Sequence, residues 1–131
     1  MIKFFSYYKI IFYTINFSLF FLYLYPGSLI GQLIYGSKKI QPQITQDFLI
    51  SSNHFYVFIL VSIIGFFTYI KFNHIKILIL YLLIISIGLE FLHLIIPERT
   101  FQWSDLFGNL LGVMIVISVK NLINKYEIFK K

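Results

Sequence analysis

Cysteine is absent from the sequence, and only 5 of the 131 residues are acidic. Without cysteine the chain can have no disulfide, no thiol redox chemistry and no thiolate metal ligand. The few acidic groups accompany 59% hydrophobic and 21% aromatic residues, a composition too apolar for a water-soluble globule. The sequence therefore predicts a membrane protein without a sizeable soluble core.

Basic residues outnumber acidic ones, and the formal net charge is +6. The lysines flank apolar runs, which is typical of helix ends anchored to anionic headgroups. No basic stretch lies in a soluble context, so the sequence predicts no nucleic-acid partner.

Four apolar runs are long enough to cross a bilayer as helices. They predict an all-α membrane protein, a bundle of four transmembrane helices in a single domain 1–131. The predicted helices are about 4–25, 54–70, 75–96 and 104–119. The first run could instead be a signal sequence, but it ends in Tyr25-Pro26-Gly27-Ser28 and not in a small-residue cleavage site.

The loop 26–52 is the most polar stretch, with room for short structure of its own. A four-helix topology places it on the same side as the loop before the last helix. Of the 11 Lys and Arg residues, three fall on that side: Lys38, Lys39 and Arg99. The other eight fall on the side of the termini: Lys3, Lys9, Lys71, Lys76, Lys120, Lys125, Lys130 and Lys131. Since positive charge collects inside, both termini are predicted to be cytoplasmic, in a bacterial inner membrane.

Polar groups inside the predicted helices are few and occur in pairs. Glu90 and His93 are three residues apart and share one helix face. Asp105 and Asn109 are four apart on the last helix, and Ser104 is a candidate N-cap. Counting residues inward from the connecting loop puts Glu90 and Asn109 at similar depths, so we expect these two to meet.

Arg99 and His54 extend this layer of polar groups. Arg99 lies in the loop between the third and fourth helices, and its guanidinium can hold a carboxylate or a phosphate with two hydrogen bonds. His54 begins the second helix. The predicted polar cluster of this chain is thus the following set: His54, Glu90, His93, Arg99, Asp105 and Asn109.

Gly108 and Gly112 are also four apart on the last helix. This small-residue spacing allows another backbone to approach closely. It predicts that one face of the last helix packs on the third helix, while the face of Leu111 and Ile115 meets lipid or another helix.

Three segments resemble the signature of the VanZ-like membrane proteins. They are GLEFLH (88–93), PERTFQWSD (97–105) and NLLG (109–112). They resemble the family's late Glu on the third helix, its Arg six residues before an Asp, and its D-x-x-x-N-x-x-G at the start of the fourth helix. His93 and the Ser51-Ser52-Asn53 stretch depart from the family's usual residues.

The resemblance implies roles for Glu90, Arg99, Asp105 and Asn109, and the family's namesake lowers susceptibility to glycopeptide antibiotics. The leading interpretation is a non-enzymatic envelope protein that engages a membrane lipid or a lipid-linked, amphiphilic partner at the outer leaflet. The alternative is a small accessory subunit of a larger membrane complex, in which the polar layer only clamps the helices together. An enzyme acting on lipid phosphate is a third reading.

No cofactor, no metal and no catalytic residue are predicted. A metal or catalytic site formed by His54, Glu90, His93 and Asp105 is the least favoured reading, because nothing in the spacing shows that these side chains converge on one ion.

Overall fold

The computed structural model of the chain describes residues 2–69 and 74–129, with side chains for 7–69 and 74–126. Its helices are α1 (Ile2–Leu24), α2 (Leu29–Tyr35), α3 (Ser52–Tyr69), α4 (Ile75–Leu92) and α5 (Trp103–Phe129). Four of them, all except α2, are long and apolar enough to cross a membrane. The prediction of an all-α bundle with four spans is confirmed, and the chain is a multi-pass membrane protein.

The helix ends differ from the predicted ones at two places. α5 continues past residue 119 to Phe129, because no glycine or proline follows Gly112 to stop it. α4 ends at Leu92, before the predicted residue 96. Beyond Leu92 the hydrogen bonds join residues three apart instead of four. The His93 N–H donates to the Glu90 carbonyl oxygen at 3.1 Å, and the Leu94 N–H donates to the Phe91 carbonyl oxygen at 3.1 Å. The approach of Pro97 disfavours further α-helix.

The spans alternate in direction, so two ends of the bundle can be distinguished. At one end the hydroxyl oxygen of Tyr13 on α1 lies 3.2 Å from the hydroxyl oxygen of Tyr69 on α3. At the other end the C-termini of α1 and α4 meet the N-termini of α3 and α5. Lys71, Lys130, Lys131 and the side chain of Lys3 lie outside the described residues.

The loop between α1 and α3 is folded against the bundle. Ser28 caps α2, since its hydroxyl oxygen accepts the Gly31 N–H at 2.9 Å, and Gly36 ends the helix with a positive φ of 67°. Gly31 allows the returning chain to approach, because a Cβ there would lie 1.7 Å from the Ile40 carbonyl oxygen. The Asp47 carboxylate accepts the Ser52 N–H at 2.7 Å, which ties the loop to the first turn of α3.

α5 packs most closely on α3, and its two glycines lie at that contact. A Cβ on Gly108 would be 2.8 Å from the Ser51 carbonyl oxygen, and one on Gly112 would be 2.7 Å from the Phe55 carbonyl oxygen. The glycine pair therefore faces α3 and not the predicted α4, although α5 also contacts α4 through the hydrogen bond from Asn109 to Ser86. Leu111 and Ile115, each 43% exposed, lie on the outside of the bundle.

Candidate functional site

The six polar residues selected from the sequence lie at the end of the bundle where α1 and α4 finish and α3 and α5 begin. Four of them are almost inaccessible to solvent: His54 is 4% exposed, His93 is 2% exposed, and Glu90 and Asn109 are 0% exposed. Each side chain has specific partners, and the contacts divide into three groups around Asn109, Glu90 and Arg99.

Asn109 is the centre of the first group. Its side-chain amide donates to the Ser86 carbonyl oxygen of α4 at 3.0 Å, and its oxygen accepts the Tyr23 hydroxyl group of α1 at 3.0 Å. The same oxygen is 3.1 Å from Nδ1 of His54 on α3. One side chain on α5 therefore binds to each of the three other spans.

His54 extends this group to Asp105. Its Nδ1 atom also lies 3.1 Å from the Tyr23 hydroxyl oxygen, and its Nε2 atom lies 3.4 Å from Oδ2 of Asp105. Ser104 lies next to the carboxylate, with 3.4 Å between its Oγ and Oδ1 of Asp105. Ser104 is not the N-cap of α5. The helix begins one residue earlier, and the Gln102 carbonyl oxygen accepts the Asp105 and Leu106 N–H groups at 3.2 and 3.1 Å.

Glu90 and His93 form the second group, on the last turn of α4. Oε1 of Glu90 accepts the Gln102 backbone N–H at 2.9 Å, which closes the loop between α4 and α5. Oε2 lies 3.2 Å from Nδ1 of His93, but it has no hydrogen-bond partner of suitable geometry. The other ring nitrogen of His93 is 3.0 Å from the Tyr23 carbonyl oxygen, and its ring stacks on that of Tyr23.

Arg99 forms the third group, at the C-terminus of α1. Its Nε donates to the Tyr25 carbonyl oxygen at 3.1 Å, and one terminal nitrogen donates to the Leu22 carbonyl oxygen at 2.8 Å. Carbonyls at a helix C-terminus have no partner within the helix and carry partial negative charge, so a cation is favoured there. Burial lowers the pKa of the Arg99 guanidinium, while the charges of Tyr23, Glu90 and Asp105 oppose that shift. The group stays protonated at neutral pH.

The expected meeting of Glu90 with Asn109 is not observed. Asn109 lies opposite Ser86, whereas Glu90 lies opposite Gln102 at the start of α5. The predicted depths of the two residues were wrong because the third span was assumed to continue as a helix to residue 96. The chain from His93 onward is instead a series of tight turns.

Sequence reasoning missed two members of the site. Tyr23 is one of 10 tyrosines in an aromatic chain, and nothing in its neighbourhood marks it as a hydrogen-bonding centre. Ser86 contributes only its carbonyl group. The signal that could have found Tyr23 is its depth, two residues before the Tyr25-Pro26 end of the first span.

A cavity of about 290 Å³ lies beside these groups, between α1, α3 and the loop that contains α2. Its polar wall includes Tyr23, His54, His93 and Arg99, and Ser28, Gln41, Gln43 and Asn53 also line it. Its apolar wall includes Leu22, Leu29, Ile30, Ile44 and Val57. The site therefore combines a buried polar layer with an adjoining space that is polar on one side and apolar on the other.

Glu90, Asp105 and Asn109 do not line this cavity. Of the predicted set, only His54, His93 and Arg99 do. Comparisons of the chain with protein-family models, with characterised proteins and with solved structures found no match.

Proposed function

We propose that this chain is a VanZ-like protein of the bacterial inner membrane, and that it binds a membrane lipid or a lipid-linked amphiphile from the outer leaflet without catalysing a reaction. The observation that carries the proposal is the cavity of about 290 Å³ next to the buried polar layer. Small-molecule sites are concave and mostly apolar, with a few polar groups that fix orientation, and this cavity has that character.

Arg99 is the residue suited to an anionic headgroup. Its hydrogen bonds to Leu22 and Tyr25 hold the guanidinium at the cavity wall and use two of its five N–H donors. The remaining donors can bind a phosphate or a carboxylate, and bonds of this kind to a charged partner are the stronger ones. Leu22, Leu29 and Val57 would then contact the start of an acyl or prenyl chain.

The sidedness of the proposal rests on charge. Lys38, Lys39 and Arg99 lie at the end of the bundle that holds the cavity, whereas the described residues Lys9, Lys76, Lys120 and Lys125 lie toward the opposite end. The positive-inside rule favours a cytoplasmic position for the more basic end. Trp103, 64% exposed at the start of α5, suits the headgroup region of the outer leaflet.

The test is retention of a lipid by the purified protein, measured by native mass spectrometry with undecaprenyl phosphate and phosphatidylglycerol as probes and phosphatidylcholine as the neutral comparison. Val57→Trp places a large ring in the cavity wall, and Leu60→Trp places the same ring on the lipid-facing side of α3, where Leu60 is 51% exposed. We expect Val57→Trp to weaken retention of the anionic probes by about tenfold or more, equivalent to ~1.4 kcal/mol. Leu60→Trp is expected to bind as the unchanged chain does.

Equal retention by the two tryptophan variants would contradict a ligand in this cavity. Equal retention of anionic and neutral lipids by the unchanged chain would contradict recognition of the headgroup by Arg99. In that case only the apolar wall would be involved.

A second candidate function is that of a structural subunit in a larger membrane complex. This candidate is favoured by Asn109, whose side chain finds hydrogen-bond partners inside the bundle: Ser86, Tyr23 and His54. Such a network fixes helix packing without a ligand. Purification in a mild detergent separates the two, because a stoichiometric larger complex supports the subunit role and an isolated chain that retains lipid supports the cavity.

A further inference from the structure

We propose that His54, Glu90 and Asp105 bind a divalent transition-metal ion between α3, α4 and α5. One ligand atom from each residue lies within 4.8 Å of the other two. The three residues come from three different helices, so no short sequence spacing could reveal them. The sequence prediction of no metal depended on that missing spacing, whereas the fold brings the side chains together.

The hydrogen bonds of His54 leave its second nitrogen free for a metal. The Asn109 amide group donates to Ser86, which fixes its oxygen on the side of His54 and Tyr23. The Tyr23 hydroxyl proton goes to that oxygen. Nδ1 of His54, 3.1 Å from both oxygens, therefore has to be the protonated nitrogen.

With the proton on Nδ1, the lone pair of a neutral imidazole is on Nε2, and Nε2 faces Asp105. A lone pair opposite a carboxylate is unfavourable unless a cation lies between them or a second proton is added. Metal-bound histidines usually donate their other ring N–H to an oxygen acceptor, which fixes the tautomer and the ring orientation. Asn109 supplies that acceptor here.

The distance between His54 and Asp105 suits a shared metal ion. Nε2 and Oδ2 are 3.4 Å apart, longer than the ~2.7–2.9 Å of a good charged hydrogen bond. Ligands at ~2.0–2.2 Å in a tetrahedral zinc site are about 3.3–3.5 Å from one another. The ligand atom of Glu90 lies within 4.8 Å of those of His54 and Asp105, so all three side chains surround one small volume.

Glu90 supplies the independent sign that a ligand is needed. It is completely buried, and its Oε2 atom has no hydrogen-bond partner. Nδ1 of His93 lies 3.2 Å from this oxygen, in a geometry that makes no hydrogen bond. A carboxylate oxygen without a hydrogen bond at this depth carries a large desolvation cost. A metal ion in contact with the carboxylate would remove that cost.

The negative charges of Glu90 and Asp105 also favour a bound cation. Within residues 7–69 and 74–126, neither Glu90 nor Asp105 has a lysine or arginine nitrogen within 4.0 Å; the nearest ring nitrogens are those of His93 and His54, at 3.2 and 3.4 Å. Arg99 is engaged with carbonyl groups of α1. Two carboxylates and one imidazole are ligands that Zn²⁺, Mn²⁺ and Fe²⁺ accept, and a divalent ion would neutralise both negative charges.

The experiment measures metal content and metal-dependent stability of the full chain in detergent. The protein is stripped with a chelator, incubated with Zn²⁺, freed of excess ion and analysed by elemental mass spectrometry. We expect about one Zn²⁺ ion per chain and a rise in Tm on adding Zn²⁺, since an ion that binds only the folded state stabilises it. No retained ion together with an unchanged Tm would overturn the proposal.

Variants of the three proposed ligands, compared with a control histidine, test where the ion binds. His54→Gln, Glu90→Gln and Asp105→Asn are each expected to lose the bound ion and the Tm rise, whereas His74→Gln, at an exposed histidine at the far end of the bundle, keeps both. Size-exclusion profiles identify any variant that fails to fold, and the remaining variants then decide. Retention of the ion in every folded variant of the three ligands would overturn the proposal.

The metal site and the lipid cavity can fail separately. Val57 lines the cavity but is not a ligand of the proposed ion. Val57→Trp is therefore expected to lose lipid retention and keep the Zn²⁺ ion. If it loses the ion although its size-exclusion profile is unchanged, the two sites are not separate, since His54 lines the cavity and is also a proposed ligand.

Discussion

The Tyr23 hydroxyl group donates a hydrogen bond to the side-chain oxygen of Asn109, 3.0 Å away, although 86 positions separate the two residues. The bond joins the end of the first span to the start of the last. Because the same oxygen also meets His54 and the same amide binds Ser86, the packing of all four spans depends on one side chain.

Asn109→Ala is expected to destabilise the bundle. It removes the hydrogen bonds of residue 109 to the Ser86 carbonyl group, the Tyr23 hydroxyl group and the His54 N–H in one step. The Ser86 carbonyl group keeps its bond within α4, whereas a buried polar group left without any partner costs about 1–3 kcal/mol. Repacking and water entry reduce the sum, so we expect a total loss of about 2–4 kcal/mol in the free energy of unfolding. The measurement is reversible unfolding in mixed detergent, followed by circular dichroism.

Asn121→Ala is the control for this substitution. Asn121 lies on the same helix but is exposed, so its replacement is expected to change the unfolding free energy by less than about 0.5 kcal/mol. Similar losses from both asparagine substitutions would show that the network around residue 109 adds nothing specific.

Gly112→Ala is expected to separate α5 from α3. The new Cβ would lie 2.7 Å from the Phe55 carbonyl oxygen and 3.0 Å from the Phe58 Cβ, so one of the two helices has to move. Overpacking of this kind costs about 1–3 kcal/mol. The thermal midpoint in detergent provides the measurement.

Gly88→Ala makes the same change where there is space. A Cβ on Gly88 meets nothing within 4 Å, and alanine is favoured over glycine inside a helix by up to about 1 kcal/mol. The Tm is therefore expected to stay the same or rise. A fall equal to that of Gly112→Ala would contradict the close contact between α5 and α3.

The sequence predicts the spans and the composition of the site better than the contacts within it. Long apolar runs determine the four spans because each must cover a bilayer, and charged groups within such runs are rare enough to be noticed, as Glu90 was. The partners of Glu90 depend on where α4 gives way to tight turns, and the sequence marks only Pro97. An error of a few residues there was enough to pair Glu90 with the wrong part of α5.

Other features could not be read from the sequence because they depend on which helices become neighbours. The Gly108 and Gly112 spacing indicates a close helix contact, but it does not name the partner, which is α3. Arg99 was expected to hold a carboxylate or a phosphate with two hydrogen bonds. The structure shows that part of it binds the Leu22 and Tyr25 carbonyl groups, which no pattern in the loop indicates.

Arg99→Lys is expected to loosen the end of α1 even though it keeps the positive charge. The planar guanidinium reaches two carbonyl groups at once, whereas an ammonium group on a flexible stem is a point charge and does not reproduce that geometry. The loss of one hydrogen bond to a charged group costs about 1.5–3 kcal/mol. Hydrogen exchange of the backbone amides in residues 22–28 should become faster, and exchange in the core of α3 should not.

Lys39→Ala is the matched change of an exposed basic residue in the loop between α2 and α3, at the same end of the bundle. It is expected to leave exchange in residues 22–28 unchanged. Unaltered exchange in Arg99→Lys would mean that the two carbonyl contacts do not hold α1 in place.

The sidedness of the bundle can be measured directly because the chain contains no cysteine, so each introduced thiol is the only one present. Gln102→Cys changes an exposed side chain at the end of the bundle with the cavity, and Asn124→Cys changes an exposed one near the opposite end of α5. With a membrane-impermeant maleimide applied to whole cells, we expect labelling at 102 and not at 124, and labelling at both after lysis. Phe17→Cys, on a lipid-facing surface that is 74% exposed in the bundle, should react in neither case. Labelling of intact cells at 124 but not at 102 would place Arg99 and the cavity at the cytoplasmic face, and an outer-leaflet ligand would then be excluded whatever the cavity binds.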